Sequence, residues 1–328
     1  MEIVAVELIA SYAGRSFFLL SLSFLPSYVH CSEGFVWEWS VEKGGGSICA
    51  IFVDSCSRLW VVHGYKISVY APATGIRKHR IDFGSAGSTH STPIDAAAPA
   101  PAMFSGFPVP PHVMILEQSH IRGFHLVNDT GDLLEDRSYD SILLQSNDER
   151  SHTGFALAFA QERMYISTEC DICRVVDVSH ACDNCRITVA HECDTCQVIV
   201  CEGGRVIQRL RCPGEAQEIT VNSKGIVYVA FKTNDDQRGI ARFSADGQRL
   251  PDLLSVEANR YIWLAVDEHD RLWVAHDESI MVAEDGVHLT VFAATPGLLG
   301  LGALALDTRR ALLYVVDMAN NKIRVYSY

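Results

Sequence analysis

A short phrase that recurs along this chain limits the folds it can adopt. In its clearest copy, residues 264–267 (LAVD) are followed by a polar turn and by residues 272–275 (LWVA). Two strand-like runs joined by a short polar turn indicate an antiparallel hairpin. In each copy an Asp or Asn precedes a Trp or Tyr by six or seven positions. The four pairs are Asp54 and Trp60, Asn222 and Tyr228, Asp267 and Trp273, and Asp307 and Tyr314.

The spacing of these copies predicts a β-propeller. Asn222 and Asp267 are 45 positions apart, and Asp267 and Asp307 are 40 apart, which is the length of one blade. We place Phe159 in the Asp position of a further copy. The 105 positions from Asp54 to Phe159 hold two blades, and the 63 from Phe159 to Asn222 hold one, each with about twenty extra residues. We therefore expect an all-β, six-bladed propeller, with seven blades as the alternative.

The chain divides into an N-terminal extension, 1–34, and a propeller, 35–328. The extension carries an apolar run at 17–25, which is either a secretory signal or a strand or cap against the propeller. Nine apolar residues are too few to span a bilayer as a helix. The last repeat lacks an outer strand, so we expect residues 35–42 to supply it and to close the ring.

A loop is expected early in the propeller, at residues 83–112. This stretch is rich in Pro, Ala and Gly, a composition typical of a solvated linker or of a loop across one face. A second blade should follow it, with strands at 112–116 and 121–125.

A Cys-rich insertion occupies residues 168–201. We predict two extra strands there, at 174–178 and 186–190, which would widen one blade by a hairpin. A Cys-x-x-Cys turn points two thiols the same way, which suits half of a tetrahedral zinc site. Alternate turns of a meander lie at the same end, so we predict a structural Zn²⁺ between the first and third turns. The predicted ligands are Cys170, Cys173, Cys193 and Cys196, with Cys182 and Cys185 as a candidate second pair. Disulfides within each turn and reduced thiols remain open alternatives.

Charge and composition limit the partners. The formal net charge is −13 and no basic run occurs, which argues against nucleic acid as a partner. Eleven cysteines are an odd number, and their clustering is unlike the framework of a small secreted protein. We expect a monomer without a membrane span, located in the cytoplasm or, alternatively, secreted.

Other candidate chemistry is sparse. The sequence contains neither a His-Glu-x-x-His pairing nor a Gly-x-Ser-x-Gly elbow, and the glycines at 44–46 lack the strand-to-helix context of a phosphate loop. The recurring Asp residues could be channel carboxylates, but because they repeat with the fold we interpret them as turn caps. Four histidines at predicted strand ends are candidates for the axial channel: His63, His125, His191 and His276.

The repeat resembles known propeller families. Residues 315–326 (VVDMANNKIRVY) resemble an NHL repeat, and residues 190–200 are similar to the same hairpin with a Cys-Asp-Thr-Cys turn. Residues 53–61 resemble the first-blade motif of yellow/major royal jelly proteins. The gluconolactonase/regucalcin family is the related enzyme group, and the resemblance to it implies metal-binding Asn and Asp residues at two positions. Here those positions read 152–154 (HTG) and 261–263 (YIW), so both ligands are missing.

These observations favour a non-catalytic propeller that binds a protein or small ligand on one face, with a zinc-stabilised blade. Two alternatives remain open. One is a divergent propeller hydrolase or lyase that uses the central channel, and the other is a secreted, yellow-like ligand-binding protein.

Overall fold

The fold consists of antiparallel β-strands. The computed structural model describes the following residues: 11–12, 15–16, 35–41, 48–54, 57–63, 66–71, 76–82, 93–97, 113–117, 121–127, 132–136, 156–160, 163–168, 197–202, 205–233, 235–257, 261–294 and 300–328. Strands account for most of them, and there is no helix in these ranges, hence none long and apolar enough to cross a membrane.

The chain separates into two compact units, Met1–Cys31 and Ser32–Tyr328. In the small unit, β1 (Ser11–Tyr12) pairs with β2 (Arg15–Ser16) in a two-stranded sheet. The large unit begins with β3 (Phe35–Ser40) and contains six four-stranded sheets.

The first three sheets are each a run of four consecutive strands. Sheet 1 consists of β4 (Ile48–Val53), β5 (Leu59–His63), β6 (Lys66–Ala71) and β7 (Ile76–Asp82). Sheet 2 consists of β8 (Pro93–Ala97), β9 (Val113–Glu117), β10 (Ile121–Val127) and β11 (Asp132–Asp136). Sheet 3 consists of β12 (Leu157–Ala160), β13 (Arg163–Thr168), β14 (Gln197–Glu202) and β15 (Arg205–Arg211).

The next two sheets repeat this order, and the last one departs from it. Sheet 4 consists of β16 (Glu215–Val221), β17 (Val227–Lys232), β18 (Gln237–Phe243) and β19 (Arg249–Glu257). Sheet 5 consists of β20 (Trp263–Val266), β21 (Leu272–His276), β22 (Ser279–Ala283) and β23 (Leu289–Ala294). Sheet 6 consists of β24 (Leu301–Asp307), β25 (Leu312–Asp317), β26 (Lys322–Ser327) and the early strand β3.

The two ends of the large unit meet in sheet 6. β3 pairs antiparallel with β26, with Trp37 opposite Val325 and Trp39 opposite Ile323. Glu38 forms ion pairs with Lys322 at 2.5 Å and with Arg324 at 3.5 Å. Of the predicted outer strand at 35–42, residues 35–40 therefore pair with the last strand.

The first strand of each sheet contacts the first strand of the next. The contacts run in the order β4, β8, β12, β16, β20 and β24, and β24 in turn contacts β4. Hydrogen bonds join the turns of neighbouring sheets as well. Ser57 in sheet 1 donates to Asp307 in sheet 6 (Oγ to Oδ1, 3.0 Å), and Ser223 in sheet 4 donates to Asp270 in sheet 5 (Oγ to Oδ2, 2.8 Å).

The hydrophobic core lies between adjacent sheets, as expected when both faces of a sheet are covered. Three of the repeated aromatic residues pack at these boundaries. Tyr228 lies in a cluster shared by sheets 4 and 5, Trp273 in one shared by sheets 5 and 6, and Tyr314 in one shared by sheets 6 and 1. The repeated aromatic residues therefore fill the boundaries between neighbouring sheets at these three positions.

Three sequence predictions differ from the structure. Residues 93–97 form β8, the first strand of sheet 2, although they lie within the predicted loop 83–112. Pro and Ala are both uncommon in strands, so the composition of this stretch does not indicate one. Pro93 is nevertheless compatible with β8 because Pro is tolerated at the first position of a strand. Phe159 lies inside β12, opposite Met164, and not in the position of a turn Asp.

The third difference concerns the widened blade. β13 pairs directly with β14, with Thr168 opposite Gln197, so no extra hairpin lies between them in sheet 3. The strands predicted at 174–178 and 186–190 lie outside the described residues.

Candidate functional site

The recurring Asp residues cap the turn between the first and second strands. Asp54 is buried; its Oδ1 accepts a hydrogen bond from the Arg58 backbone N–H at 2.9 Å. Its Oδ2 accepts from Arg58 Nε at 2.7 Å and from Trp60 Nε1 at 2.8 Å. These three hydrogen bonds to the Asp54 carboxylate stabilise the turn strongly, because charge-assisted hydrogen bonds are about twice as strong as neutral ones.

Asp267 repeats this arrangement in sheet 5. Its Oδ2 accepts from Arg271 Nε at 2.6 Å and from Trp273 Nε1 at 3.0 Å, while its Oδ1 accepts from the backbone N–H groups of His269 and Arg271. The Arg271 guanidinium also lies 5.5 Å from the centroid of the Trp273 ring.

The other two copies show why the acidic residue varies. Asn222 caps its turn through Oδ1 alone, and the residues that follow at the Arg and Trp positions are Ile226 and Tyr228. An amide has one acceptor oxygen, which suffices where no Arg or Trp side chain has to be bound. The Asp307 turn is one residue longer, with backbone hydrogen bonds from Arg310 to Asp307 and from Ala311 to Thr308. That extra residue explains the spacing of seven to Tyr314.

The turn-cap interpretation is therefore confirmed for Asp54 and Asp267, whose carboxylates accept from backbone N–H groups of the turn. Asp307 accepts from Ser57 Oγ at 3.0 Å and from Arg310 at 2.9 Å. The three carboxylates thus bind donors within their own turns or, for Asp307, also in the adjoining sheet.

The final residue covers the turn of sheet 5. The Tyr328 ring lies 4.8 Å from the Trp273 ring and 5.1 Å from the Arg271 guanidinium carbon. Burial, with the Asp267 charge as a smaller cause, raises the pKa of the Tyr328 phenol to about 12. The phenol is thus neutral near pH 7.

Three of the four candidate histidines, His63, His125 and His276, lie on the second or third strands of their sheets. His63 and His276 are buried at the ends of β5 and β21, the second strands of their sheets. His63 Nε2 lies 3.0 Å from Ser68 Oγ, and His276 Nδ1 lies 3.5 Å from Asp277 Oδ2. His125 lies in β10, which is not the first strand of its sheet, and His191 is outside the described residues.

The predicted zinc ligands also fall outside the described residues. These are Cys170, Cys173, Cys193 and Cys196, together with the candidate pair Cys182 and Cys185. In the described ranges no group of three or more His, Cys, Asp or Glu side chains is arranged to hold a metal ion.

A cavity of about 290 Å³ lies between the first strands of five sheets. The strands β4, β12, β16, β20 and β24 contribute its wall. We call this space the channel cavity. Among the lining residues whose side chains the structure describes, Glu218 and Thr220 are polar and the others are apolar, including Trp263.

Glu218 and Thr220 interrupt a pattern shared by the first strands. In sheets 1, 4, 5 and 6 the four residues before the turn Asp or Asn all line the channel cavity. At the fourth and second positions before it, the residues are Ala50 and Phe52, Glu218 and Thr220, Trp263 and Ala265, and Ala303 and Ala305. Of these four strands, β16 is the one with a carboxylate and a hydroxyl at those positions. The difference is visible in the sequence once the four copies are aligned on their Asp or Asn.

Trp263 occupies the position equivalent to Glu218 on the neighbouring strand β20. Its indole Nε1 is buried and has no hydrogen-bond partner. Its ring lies 6.1 Å from that of Tyr261, which is 55 % exposed. This is the 261–263 segment, where the gluconolactonase resemblance implied a metal ligand; the chain instead places two aromatic residues there.

Two exposed apolar side chains lie at the sheet ends opposite the Asp turns. Tyr261 precedes β20, and Met318, which is 43 % exposed, follows β25. The buried Arg238 lies 4.9 Å from the Tyr261 ring centroid and bonds to the Gln217 side-chain oxygen. Charged side chains are exposed at both ends, such as Lys224 and Glu268 at the Asp turns and Asp236 and Asp277 at the opposite ends.

Comparisons with known proteins support the fold. No protein-family model matches the chain, and no curated protein matches it. Among solved structures, a chain of the mitotic checkpoint complex has a TM-score of 0.57 at 10% identity, covering 95% of this chain and 98% of its own.

Two further solved structures are similar. The Cps50 (Swd1) β-propeller domain of Myceliophteria thermophila has a TM-score of 0.44 at 11% identity, covering 86% of this chain and 83% of its own. A streptogramin B lyase has a TM-score of 0.49 at 10% identity, covering 90% and 88%. At such identities the likeness concerns the fold alone. The structural neighbours are β-propeller proteins, and the chain shares their all-β organisation.

We expect Asp267→Ala to lower the free energy of unfolding by about 3 kcal/mol, because it leaves the buried Trp273 N–H and two turn N–H groups without their acceptor. Urea denaturation measures this. The neighbouring exposed substitution Glu268→Ala is the control and should change stability by no more than about 0.5 kcal/mol. Equal effects of the two substitutions would contradict the capping role of Asp267.

Proposed function

We propose that the six sheets are the blades of a six-bladed, NHL-like propeller whose ring is closed by β3. The cyclic contacts of the first strands and the pairing of β3 with β26 support this arrangement. Pairing the two ends of a ring hides two sheet edges that would otherwise be exposed. The hydrogen bond from Ser57 to Asp307 adds a side-chain contact across the same junction.

This propeller acts as a non-catalytic scaffold that binds a protein or small ligand on one face. The proposal rests on what the recurring carboxylates bind. Asp54 and Asp267 accept hydrogen bonds within their own turns, while the apolar side chains of Tyr261 and Met318 are exposed at the opposite sheet ends. We call these opposite ends the loop face; it includes Tyr261 and Met318. Exposed aromatic and Met side chains are enriched at binding surfaces.

The Cys-rich insertion borders the loop face under the same proposal. Thr168 and Gln197 pair at the end of β13 opposite the turn to β12, so the residues between them leave and re-join sheet 3 at that end. A structural Zn²⁺ held by Cys170, Cys173, Cys193 and Cys196 would stabilise this insertion.

The methyl group of Met318 should report on ligand binding at the loop face. In protein labelled with ¹³C at the Met methyl groups, adding an extract of the source cells should shift or broaden the Met318 resonance. Met281 on β22 should stay unchanged, and Tyr261→Ser should abolish the effect. A Glu268→Met variant places the same probe at the Asp turns. A response of that probe alone would contradict the proposed face.

Metal analysis tests the zinc proposal. A reduced, metal-replete preparation of the full chain should contain about one zinc ion per chain. The double substitution Cys170→Ser/Cys193→Ser should remove it, whereas Cys49→Ser, in β4, should not. A preparation without stoichiometric zinc would show that the thiols are free or form disulfides, and intact mass with and without reductant separates those two states.

A further inference from the structure

The outermost strands of the six sheets differ in how they protect a free edge. The first strands contact one another, and the fourth strand of each sheet, counted from there, is paired on one side only in the described ranges. Edge strands expose unpaired N–H and C=O groups, and charged residues or Pro on them discourage pairing with another chain. Five of the six outermost strands carry charged residues: Glu38 in β3, Arg80 in β7, Glu135 in β11, Arg209 in β15 and Asp252 in β19 are examples. The sixth, β23 (Leu289–Ala294), reads LTVFAA and contains neither a charged residue nor Pro.

β23 combines an exposed apolar side chain with a firmly packed inner side. Val291 is 63 % exposed, and Val287 in the preceding turn is exposed as well. Leu289 packs against the core between sheets 4 and 5. The Phe292 ring meets the Trp273 ring edge-on, with the centroids 5.0 Å apart. The strand is therefore held in place by its own sheet while its outer edge stays accessible.

A β-bulge does not account for the missing charges. The register of β23 against β22 shifts near Phe292. Shifts of this kind also occur between the last two strands of sheets 1, 3, 4 and 6, where the outer strand is charged. Residues 289–291 pair with β22 in regular register, so their outward N–H and C=O groups are spaced for one more strand. The lack of charge is what distinguishes β23.

We propose that β23 pairs with an extended peptide segment of a partner protein, an uncharged stretch of β-branched residues with a Lys or Arg at each end. Main-chain hydrogen bonds hold such a peptide, and side chains such as Val291 contact its alternate residues. This surface is on the outermost strand of sheet 5. It is distinct from the loop face and does not depend on Tyr261 or Met318.

The charges at the start of β23 favour a basic residue in the peptide. The turn before the strand contains Glu284 and Asp285, both more than half exposed. Glu284 lies 3.8 Å from Arg271, but that guanidinium also bonds to Asp267. This end of the strand is therefore negative, and a Lys or Arg of the added peptide complements it.

The charges at both ends disfavour a second copy of this chain as the partner. Ser279 pairs with Ala294, so the turn with Asp277 and Glu278 lies at the far end of β23. Two copies related by a two-fold axis pair their β23 strands antiparallel, which brings the acidic turn at the start of one strand toward the acidic turn at the end of the other. Like charges brought together across an interface destabilise it.

Fluorescence anisotropy with a labelled peptide tests the proposal. The probe is fluorescein-Gly-Arg-Thr-Val-Thr-Val-Thr-Arg-amide, and the comparison peptide has Glu in place of both Arg residues. We expect the full chain to bind the Arg peptide about tenfold more tightly at low ionic strength. Val291→Lys should weaken binding of the Arg peptide about tenfold, because it charges the edge. Ile207→Lys, on the exposed side of β15, is the matched control: it has the same net charge and should bind like the unchanged chain.

Amide hydrogen exchange of the unchanged full chain shows where the Arg peptide binds, without any substitution. The peptide should slow exchange in β23 and leave β15 unaffected. Equal binding of the two peptides, equal binding by the two Lys variants, or protection outside β23 would overturn the proposal. In analytical ultracentrifugation the chain should sediment as a monomer. A dimer that Val291→Lys dissociates would mean that a second copy covers β23, and would contradict the assignment of a peptide partner.

Discussion

The buried hydrogen bonds from Trp and Arg side chains to a turn carboxylate are the interaction on which the rest of this structure depends. In sheets 1 and 5 a single Asp joins the backbone of the turn, the Arg four residues on and the Trp six residues on. The carboxylate thus fixes the turn and the rotamer of the aromatic that fills the boundary between sheets. In these two sheets a local contact thereby connects the turn to the packing of the Trp side chain. Asn222 in sheet 4 shows a reduced form, in which the side chain bonds to the turn backbone and Ile and Tyr stand at the Arg and Trp positions.

The turn hydrogen bonds also distinguish residues that maintain the fold from residues that are free to bind a ligand. Because the repeated polar residues serve the turns, chemistry specific to this chain has to lie where the copies differ from one another. They differ most on the channel wall, where β16 contributes Glu218 and Thr220 and β20 contributes Trp263, and at the loop face, where Tyr261 and Met318 are exposed.

Periodicity and turn chemistry predicted most of the architecture, because each copy of the repeat folds through local contacts. The chain-end pairing of β3 with β26 could be predicted because the last repeat lacked an outer strand. Two features of the structure could not be predicted from the sequence: the strand β8 and the place of Glu218. β8 begins with Pro93 in a Pro- and Ala-rich stretch, so its strand depends on pairing with β9 and not on local preference. Glu218 reads as an ordinary strand residue until the first strands are aligned, and its place on the cavity wall depends on the neighbouring sheets.

The central claim is that residues 35–40 complete the last sheet, so that six sheets close upon one another. Amide hydrogen exchange of the full chain tests it most directly, since protection follows the stability of the hydrogen bonds that an amide makes. The account predicts that the amides of β3 exchange as slowly as those of its partner β26. Exchange of β3 at the rate of an unpaired segment, with β26 protected only toward β25, would contradict it.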